Sequence, residues 1–286
     1  MRIILLGFGR VGQSLARILH GDADRIVKAH GFKPQVIAII DSHGSCQDGE
    51  GLDLDLALKT KEKYGTIAKY PKRGQRDREP AALVSESDAE VVVEATPSNY
   101  EDGEPGMSNI KTALATGKHV VAVNKGPLAL AMPALLELAD HRKVKFRFSG
   151  TVGAGTPFLS FAEKCLKGER IVGIRGILNG TTNYVLTRMD EASISFQKAL
   201  AEAQRKGYAE ADPSNDINGL DAAAKVVILA NWVLKRKVSL RDVAVEGISK
   251  VSQERLKRVR AAGKRVKLIA RLGDSRASVK PEEVSS

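Results

Sequence analysis

Asp221 and Lys225 stand four residues apart in this 286-residue chain. On a helix that spacing puts both side chains on one face. A lysine partly stripped of water has its pKa drawn towards neutrality and can then give or take a proton. The competing reading is an exposed i,i+4 ion pair worth only about 0.3–0.5 kcal/mol. Against it, Ile217, Leu220, Val226 and Val227 make the surrounding helix apolar, and acids crowd just upstream. Glu210, Asp212 and Asp216 flank Pro213 in a turn-rich stretch, which suits an ammonium ligand or, alternatively, a solvated acidic loop. A second lysine, Lys125, sits in Asn124-Lys125-Gly126-Pro127 behind the apolar run His119–Val123. Gly126 and Pro127 fix that loop, as a side chain held for chemistry requires, although most loop lysines simply face water.

A different chemistry is written at the N-terminus. Gly7-Phe8-Gly9-Arg10-Val11-Gly12 follows the apolar run Ile3–Leu6 directly and precedes a helical pattern. In that context the first glycine permits a tight turn, the second lets a pyrophosphate approach the backbone, and the third lets helix pack on strand. The free N–H groups and positive end of the helix then face the phosphates. Asp41, closing the next apolar run, is placed to accept hydrogen bonds from the adenosine ribose and so favours NAD slightly. The competing reading is a turn acid in Asp41-Ser42-His43-Gly44. Arg10 and the cluster Lys59, Lys61, Lys63 keep the 2′-phosphate of NADP open. Thr96, before Pro97 at the end of the third strand, is expected to approach the cofactor.

The elements that must position these groups alternate in the first half. Strands are expected at Ile3–Leu6, Val36–Asp41, Val91–Glu94, His119–Val123 and Lys145–Phe148. Helices are expected near Val11–His20, Leu52–Lys63, Ser108–Thr116 and Leu128–Arg142. Apolar runs without strict alternation, joined by helices, indicate parallel strands covered on both faces. The expected fold is α/β: a doubly wound Rossmann-type dinucleotide domain over residues 1–150, then a second α+β substrate and dimerisation domain over residues 151–286. In the second domain Ile171–Leu178 reads as a strand, and Thr181–Met189, Phe196–Lys206 and Ile217–Leu234 read as helices. Pro281–Ser286 reads as an unfinished loop.

Composition narrows the partners. The formal charge is +11, and the densest basic stretch, Lys250–Arg271, contains no aromatic residue for base stacking. A solvated basic face is therefore preferred to nucleic-acid binding. The longest apolar stretch, Val226–Leu234, is half a membrane span at most, so a soluble chain is expected. Two distant cysteines, Cys46 and Cys165, exclude a disulfide framework and a cysteine zinc site and fit a cytoplasmic protein.

Three segments narrow the function further. They are VVVEATPSNYEDGEPGMSNIKTALATGKHVVAVNKGPLAL (residues 91–130), GTVGAGTPFLSFAEKCLKGERIVGIRGILNGTTNYVLTRM (150–189) and EAQRKGYAEADPSNDINGLDAAAKVVIL (202–229). In that order behind a glycine turn, through about residue 235, the chain resembles homoserine dehydrogenase. The resemblance implies interconversion of L-homoserine and L-aspartate 4-semialdehyde with NAD or NADP, on the route to threonine, methionine and isoleucine. It implies Lys225 as the proton-transferring group, Asp221 as its partner, and Lys125 near the nicotinamide and reacting oxygen. It implies Glu210 on the substrate amine, Asp216 in support, Gly180 and Thr181 at the substrate, and Gly207 among the cofactor contacts. It also implies a sodium or potassium ion held by the carbonyls of Val152, Ala154 and Thr156, and a homodimer. From the start at Met1 and the early end, neither a fused aspartate kinase nor a C-terminal regulatory domain is expected, and the family's closing segment is not found. Two rivals stand beside this reading. One is another amino-acid or semialdehyde dehydrogenase; the other is a non-catalytic dinucleotide sensor, which would have no use for the acids and lysine between Glu210 and Lys225.

Overall fold

A computed structural model describes residues 1–273 and 276–285 of the chain, which divides into two compact units, Met1–Thr151 and Val152–Ser286. Among the described residues no helix is long and apolar enough to cross a membrane.

Unit 1 runs β1 (Arg2–Leu6), α1 (Arg10–Gly21), α2 (Ala23–His30), β2 (Gln35–Asp41), β3 (Gly44–Gln47), α3 (Leu54–Tyr64), β4 (Gly74–Gln75), α4 (Pro80–Glu86), β5 (Val91–Glu94), α5 (Gly106–Ala115), β6 (His119–Ala122), α6 (Gly126–His141) and β7 (Phe146–Arg147). The sheet order is β4-β3-β2-β1-β5-β6-β7, with β2, β1, β5, β6 and β7 parallel. The apolar runs are buried on both faces. Ile3, Leu5, Val91 and Val93 pack under α1 and α3, while Ile4, Leu6, Val92 and Val120, of opposite parity, are equally covered. Each such side chain contributes about 1.5–3 kcal/mol. In register, Leu6 lies opposite Ile40 on one side and Glu94 on the other. The chain leaves β1 for β2 and later returns to β5 on its other flank, so the carboxyl ends of β1 and β5 form the switch point where such sheets take ligands.

The turn Asp41-Ser42-His43-Gly44, the competing reading of that acid, is the corner of a hairpin, with β3 and β4 extending the sheet antiparallel. The strands are only four and two residues long, too short for a periodic signal.

Unit 2 runs α7 (Phe158–Cys165), β8 (Ile174–Gly176), α8 (Gly180–Ala192), α9 (Phe196–Arg205), α10 (Ser214–Ile217), α11 (Leu220–Trp232), β9 (Val243–Val245), α12 (Gln253–Ala261), β10 (Lys264–Leu272) and β11 (Ala277–Ser285). Its sheet is ordered β8-β10-β11-β9. Val266, Leu268, Ala270 and Leu272 of β10 meet Val185, Leu186 and Met189 of α8 and Val226 and Val227 of α11 in one core.

Three expectations change here. The strand expected over Ile171–Leu178 is confined to Ile174–Gly176. The helix expected over Ile217–Leu234 breaks at Gly219, whose φ of +84° ends α10 and starts α11. Pro281–Ser285 is strand rather than loop, paired with β10 from Ala277↔Leu272 to Ser285↔Lys264; Ser286 lies outside the described residues. Pro281 has no N–H to donate, but in this register Leu268 remains its partner.

Candidate active site

The glycine turn has the geometry its spacing required. Gly7 has φ +95°, and a Cβ there would lie 2.4 Å from the Ala95 carbonyl oxygen. A Cβ on Gly12 would lie 2.2 Å from the Gly7 carbonyl oxygen, so helix and turn touch backbone to backbone. A Cβ on Gly9 would meet nothing within 4 Å. The middle glycine thus faces open space, the cradle a pyrophosphate would fill. Phe8 is buried beneath the turn, while Arg10 and Val11 are exposed on the first turn of α1. That turn carries no acid, and Gly9 offers no side-chain cap, so its N–H groups are open to an anion.

Beside the turn, the end of β5 carries Glu94, which is fully buried. Its Oε1 accepts the Thr96 N–H at 2.9 Å, the Thr96 hydroxyl, and the Asn124 amide at 3.4 Å; its Oε2 accepts the Asn109 amide at 2.7 Å. Burial pushes the Glu94 carboxyl above the usual carboxylate range, against the pull of these donors. The Asn124 Oδ1 accepts the Gly126 N–H at 3.0 Å, and the Ser98 hydroxyl accepts the Lys125 N–H at 3.0 Å. Thr96 and Lys125, expected near the cofactor from separate stretches, are therefore joined through Asn124, whose amide also lies 3.1 Å from the Thr96 Oγ1. Neither Glu94 nor Asn124 was singled out in the sequence; Glu94 read as the polar end of a strand.

Asp41 is not the open acceptor that the ribose reading needs. Its side chain is 3% exposed, and its Oδ2 takes Lys61 Nζ at 2.8 Å and the Ile67 N–H at 2.7 Å. Its Oδ1 takes the His43 N–H at 2.9 Å and the Thr66 hydroxyl at 3.1 Å. Burial raises its pKa, but hydrogen bonds from Lys61, His43 and Ile67 outweigh this and hold it below the ordinary value. All four acceptor directions of the carboxylate are taken by the protein, and the lean towards NAD loses its basis.

In unit 2, Asp216, Asp221 and, through Asp221, Lys225 are gathered about one asparagine. Lys225 Nζ donates to Asp221 Oδ2 and to the Leu178 carbonyl, both at 2.6 Å. The two side chains are 16% and 11% exposed, so this is not the surface pair that the spacing alone allowed. The Asn179 amide donates to Asp221 Oδ2 at 2.9 Å and to Asp216 Oδ1 at 2.7 Å. Its Oδ1 meanwhile caps α8, accepting the Thr182 N–H at 2.8 Å. The Thr181 hydroxyl lies 2.7 Å from Asp216 Oδ2 and 2.9 Å from the Tyr208 carbonyl. One amide therefore holds two carboxylates from two helices. In an unbroken helix Asp216 and Asp221, five residues apart, would point about 140° away from each other; the turn at Gly219 lets them meet. The sequence showed Asn179-Gly180 only as a turn signal.

The remaining candidates are looser. Glu210 is exposed, and its backbone carbonyl, not its carboxylate, accepts from Gln204. Gly180 opens α8, and a Cβ there would meet nothing within 4 Å. Gly207 has φ +77° and turns the chain after α9. Among the backbone carbonyls expected to ring a cation, that of Thr156 already accepts the Phe158 N–H at 2.7 Å, while Val152 is buried and Ala154 has φ +44°. Among the described residues no group of three or more His, Cys, Asp or Glu could hold a metal.

A family model described as homoserine dehydrogenase, NAD binding domain, matches residues 7–149, and one described as homoserine dehydrogenase matches residues 157–286. The chain is 44% identical to a homoserine dehydrogenase of Methanocaldococcus jannaschii over 98% of its own length and 83% of the relative's. It is 38% identical to an NAD(+)-dependent homoserine dehydrogenase of Pseudomonas canavaninivorans, over 100% of this chain and 82% of the other. A solved hyperthermophilic archaeal homoserine dehydrogenase in complex with NADPH superposes with a TM-score of 0.85 at 31% identity, covering 100% of this chain and 82% of that one.

Proposed function

The chain belongs to the homoserine dehydrogenase family, and we propose which of its residues perform that reaction. It is an NAD(P)-dependent oxidoreductase built from an NAD-binding unit and a second unit. The nicotinamide, when bound, supplies or takes the hydride at the substrate carbon. The glycine turn Gly7–Gly12 fits its pyrophosphate, because the middle glycine is open and the first turn of α1 presents unopposed N–H groups. Thr96 and Lys125 belong to the same end of the sheet, and Gly207 is carried as a further cofactor contact by resemblance alone.

Lys225 is the proton-transfer residue in this reading. Two of its three ammonium protons are directed at Asp221 and Leu178, which leaves one for a substrate oxygen. In the reducing direction that proton goes to the alkoxide formed as hydride adds to L-aspartate 4-semialdehyde. In the oxidising direction the neutral amine takes the hydroxyl proton of L-homoserine. Asp221 holds the lysine in place. Asp216 and Glu210 receive the substrate ammonium, and Gly180 and Thr181 supply backbone and hydroxyl contacts. The observation that carries this assignment is the shared Asn179 amide, which gathers Asp216, Asp221 and, through it, Lys225 at one point.

The deciding experiment mixes purified protein and L-homoserine with NAD or NADP and follows formation of the reduced nicotinamide. Lys225→Ala should lower turnover by roughly 10²–10⁴-fold while leaving cofactor affinity within about twofold. Retention of most turnover would remove Lys225 from the role. The wider setting in this reading, carried by resemblance alone, is synthesis of threonine, methionine and isoleucine in the cytoplasm by a homodimer formed through unit 2. Light scattering of the purified protein tests the dimer. Replacing sodium or potassium in the assay with a bulky organic cation tests the carbonyls of Val152, Ala154 and Thr156.

A further inference from the structure

Glu94 has no part in the proton chemistry above, yet among the described residues it is the acid with the least exposure, 0%. Its partners are all neutral: the Thr96 N–H and hydroxyl and the amides of Asn109 and Asn124. A carboxylate buried without a counter-ion is held against its own desolvation, which a residue that merely filled space would not require.

Its position supplies a reason. Three segments meet at Glu94. Its strand partner Leu6 directly precedes the glycine turn, the Ala95 N–H bonds the Leu6 carbonyl at 2.7 Å, and Gly7 approaches Ala95 too closely to admit a Cβ. On the other flank the Val123 N–H bonds the Glu94 carbonyl at 2.9 Å, and Asn124 reaches back to Thr96 and to the Pro97 carbonyl at 3.2 Å. A Cβ on Gly126 would lie 2.2 Å from the Asn99 carbonyl oxygen, so the Lys125 loop rests directly on the loop that follows β5. The carboxylate bonds the Thr96 and Asn124 segments and α5, and its two oxygens divide the work. Oε2 ties α5 through Asn109; Oε1 ties the Thr96 and Asn124 loops.

We propose that Glu94 is a positioning residue, whose carboxylate fixes Thr96 and, through Asn124, the Lys125 loop in the arrangement that receives the dinucleotide. The inference rests on the placement of the cofactor at Gly7–Gly12, Thr96 and Lys125. The alternative is a structural staple that does no more than hold α5 to β5.

A donor–acceptor exchange separates the two. In Glu94→Gln the new amide must turn its NH₂ towards either Asn109 or Thr96, donor against donor. The melting temperature should fall, and the KM for the cofactor should rise roughly ten- to hundredfold, with the KM for L-homoserine within about twofold. In Glu94→Gln combined with Asn109→Asp, the introduced carboxylate at 109 accepts from the introduced amide at 94. That restores the α5 tie and leaves the amide oxygen at 94 to accept from Thr96 and Asn124. Melting and the cofactor KM should therefore recover together. A cofactor KM unchanged in the single variant despite its lower melting temperature would make Glu94 a staple and overturn the proposal, as would a KM still raised once melting has recovered in the double variant. Lys125→Ala, measured alongside, tests the premise. If it changes neither cofactor KM nor turnover, the cofactor placement fails and the proposal falls with it.

Discussion

Replacing Asn179 with aspartate changes the side chain by one group and puts a third carboxylate where two are already joined. The wild-type amide donates at 2.7 Å to Asp216 and 2.9 Å to Asp221. Asn179→Asp removes both donors and opposes like charges. At about 4 Å between charge centres and an effective dielectric of about 20, each opposed pair costs about 4 kcal/mol, so two cost about 8. The cluster has a cheaper escape in taking up a proton. For a carboxyl of ordinary pKa near 4, that costs about 5.5 kcal/mol at pH 8 and about 2.7 kcal/mol at pH 6. Protonation therefore wins over bare repulsion, and the penalty becomes pH-dependent. The activity deficit of the variant relative to wild type should shrink by up to about tenfold per unit between pH 8 and pH 6. The helix cap survives, because the aspartate oxygen still accepts from Thr182, so the circular dichroism spectrum should match wild type. The assay is the ratio of variant to wild-type kcat/KM for L-homoserine across that range. A ratio that stays flat with pH, or stays near one, would refute the claim that Asn179 holds the two acids together.

Three further substitutions test the cofactor unit. Gly9→Ala, whose Cβ enters open space at φ −81°, should leave the melting temperature of the cofactor-free protein unchanged while raising the cofactor KM at least about tenfold. Gly12→Ala, whose Cβ would press to 2.2 Å on the Gly7 carbonyl, should destabilise the protein itself by about 1–3 kcal/mol, read by denaturant unfolding; equal stabilities would contradict the geometry. Asp41→Asn should cost about 3 kcal/mol at pH 7, since it leaves Lys61 without its buried partner. The folded-state pKa of Asp41 is depressed, so its contribution is present above the unfolded value near 3.9 and is lost as pH falls through the folded value. The gap between variant and wild type should therefore narrow below about pH 4. A shifted NAD-to-NADP preference with no stability change would instead return Asp41 to the ribose.

What the sequence made legible was local. The glycine turn could be read because each glycine answers to its own neighbours, and Asp221 and Lys225 because four residues of helix bring them to one face. What it hid was long-range. Asp41 reads as a ribose acceptor until Lys61 and Ile67, 20 and 26 residues onward, fill its oxygens. Asn179 reads as a turn until Asp216 and Asp221, 37 and 42 residues away, arrive at its amide. In β10 the signal was present but masked by charge. Val266, Leu268, Ala270 and Leu272 alternate with Arg265, Lys267 and Arg271, a half-buried strand written inside what counted as a basic stretch. Glu94 carried no local mark at all, because a strand-end acid looks the same whether water or three amide donors await it.

The left-handed turn at Gly219 has a consequence for anyone wishing to alter what this protein accepts. The distance between its two acids is set by a residue without a side chain, wedged between Val245 and Val279, whose methyl carbons would lie 3.0 and 3.4 Å from an added Cβ. Mutational libraries aimed only at Asp216, Asp221 and their contacts would vary the charges on a ruler of fixed length. Lengthening or shortening that ruler means rebuilding residues 218–220 together with the two valines that clamp them, and no single substitution reaches it.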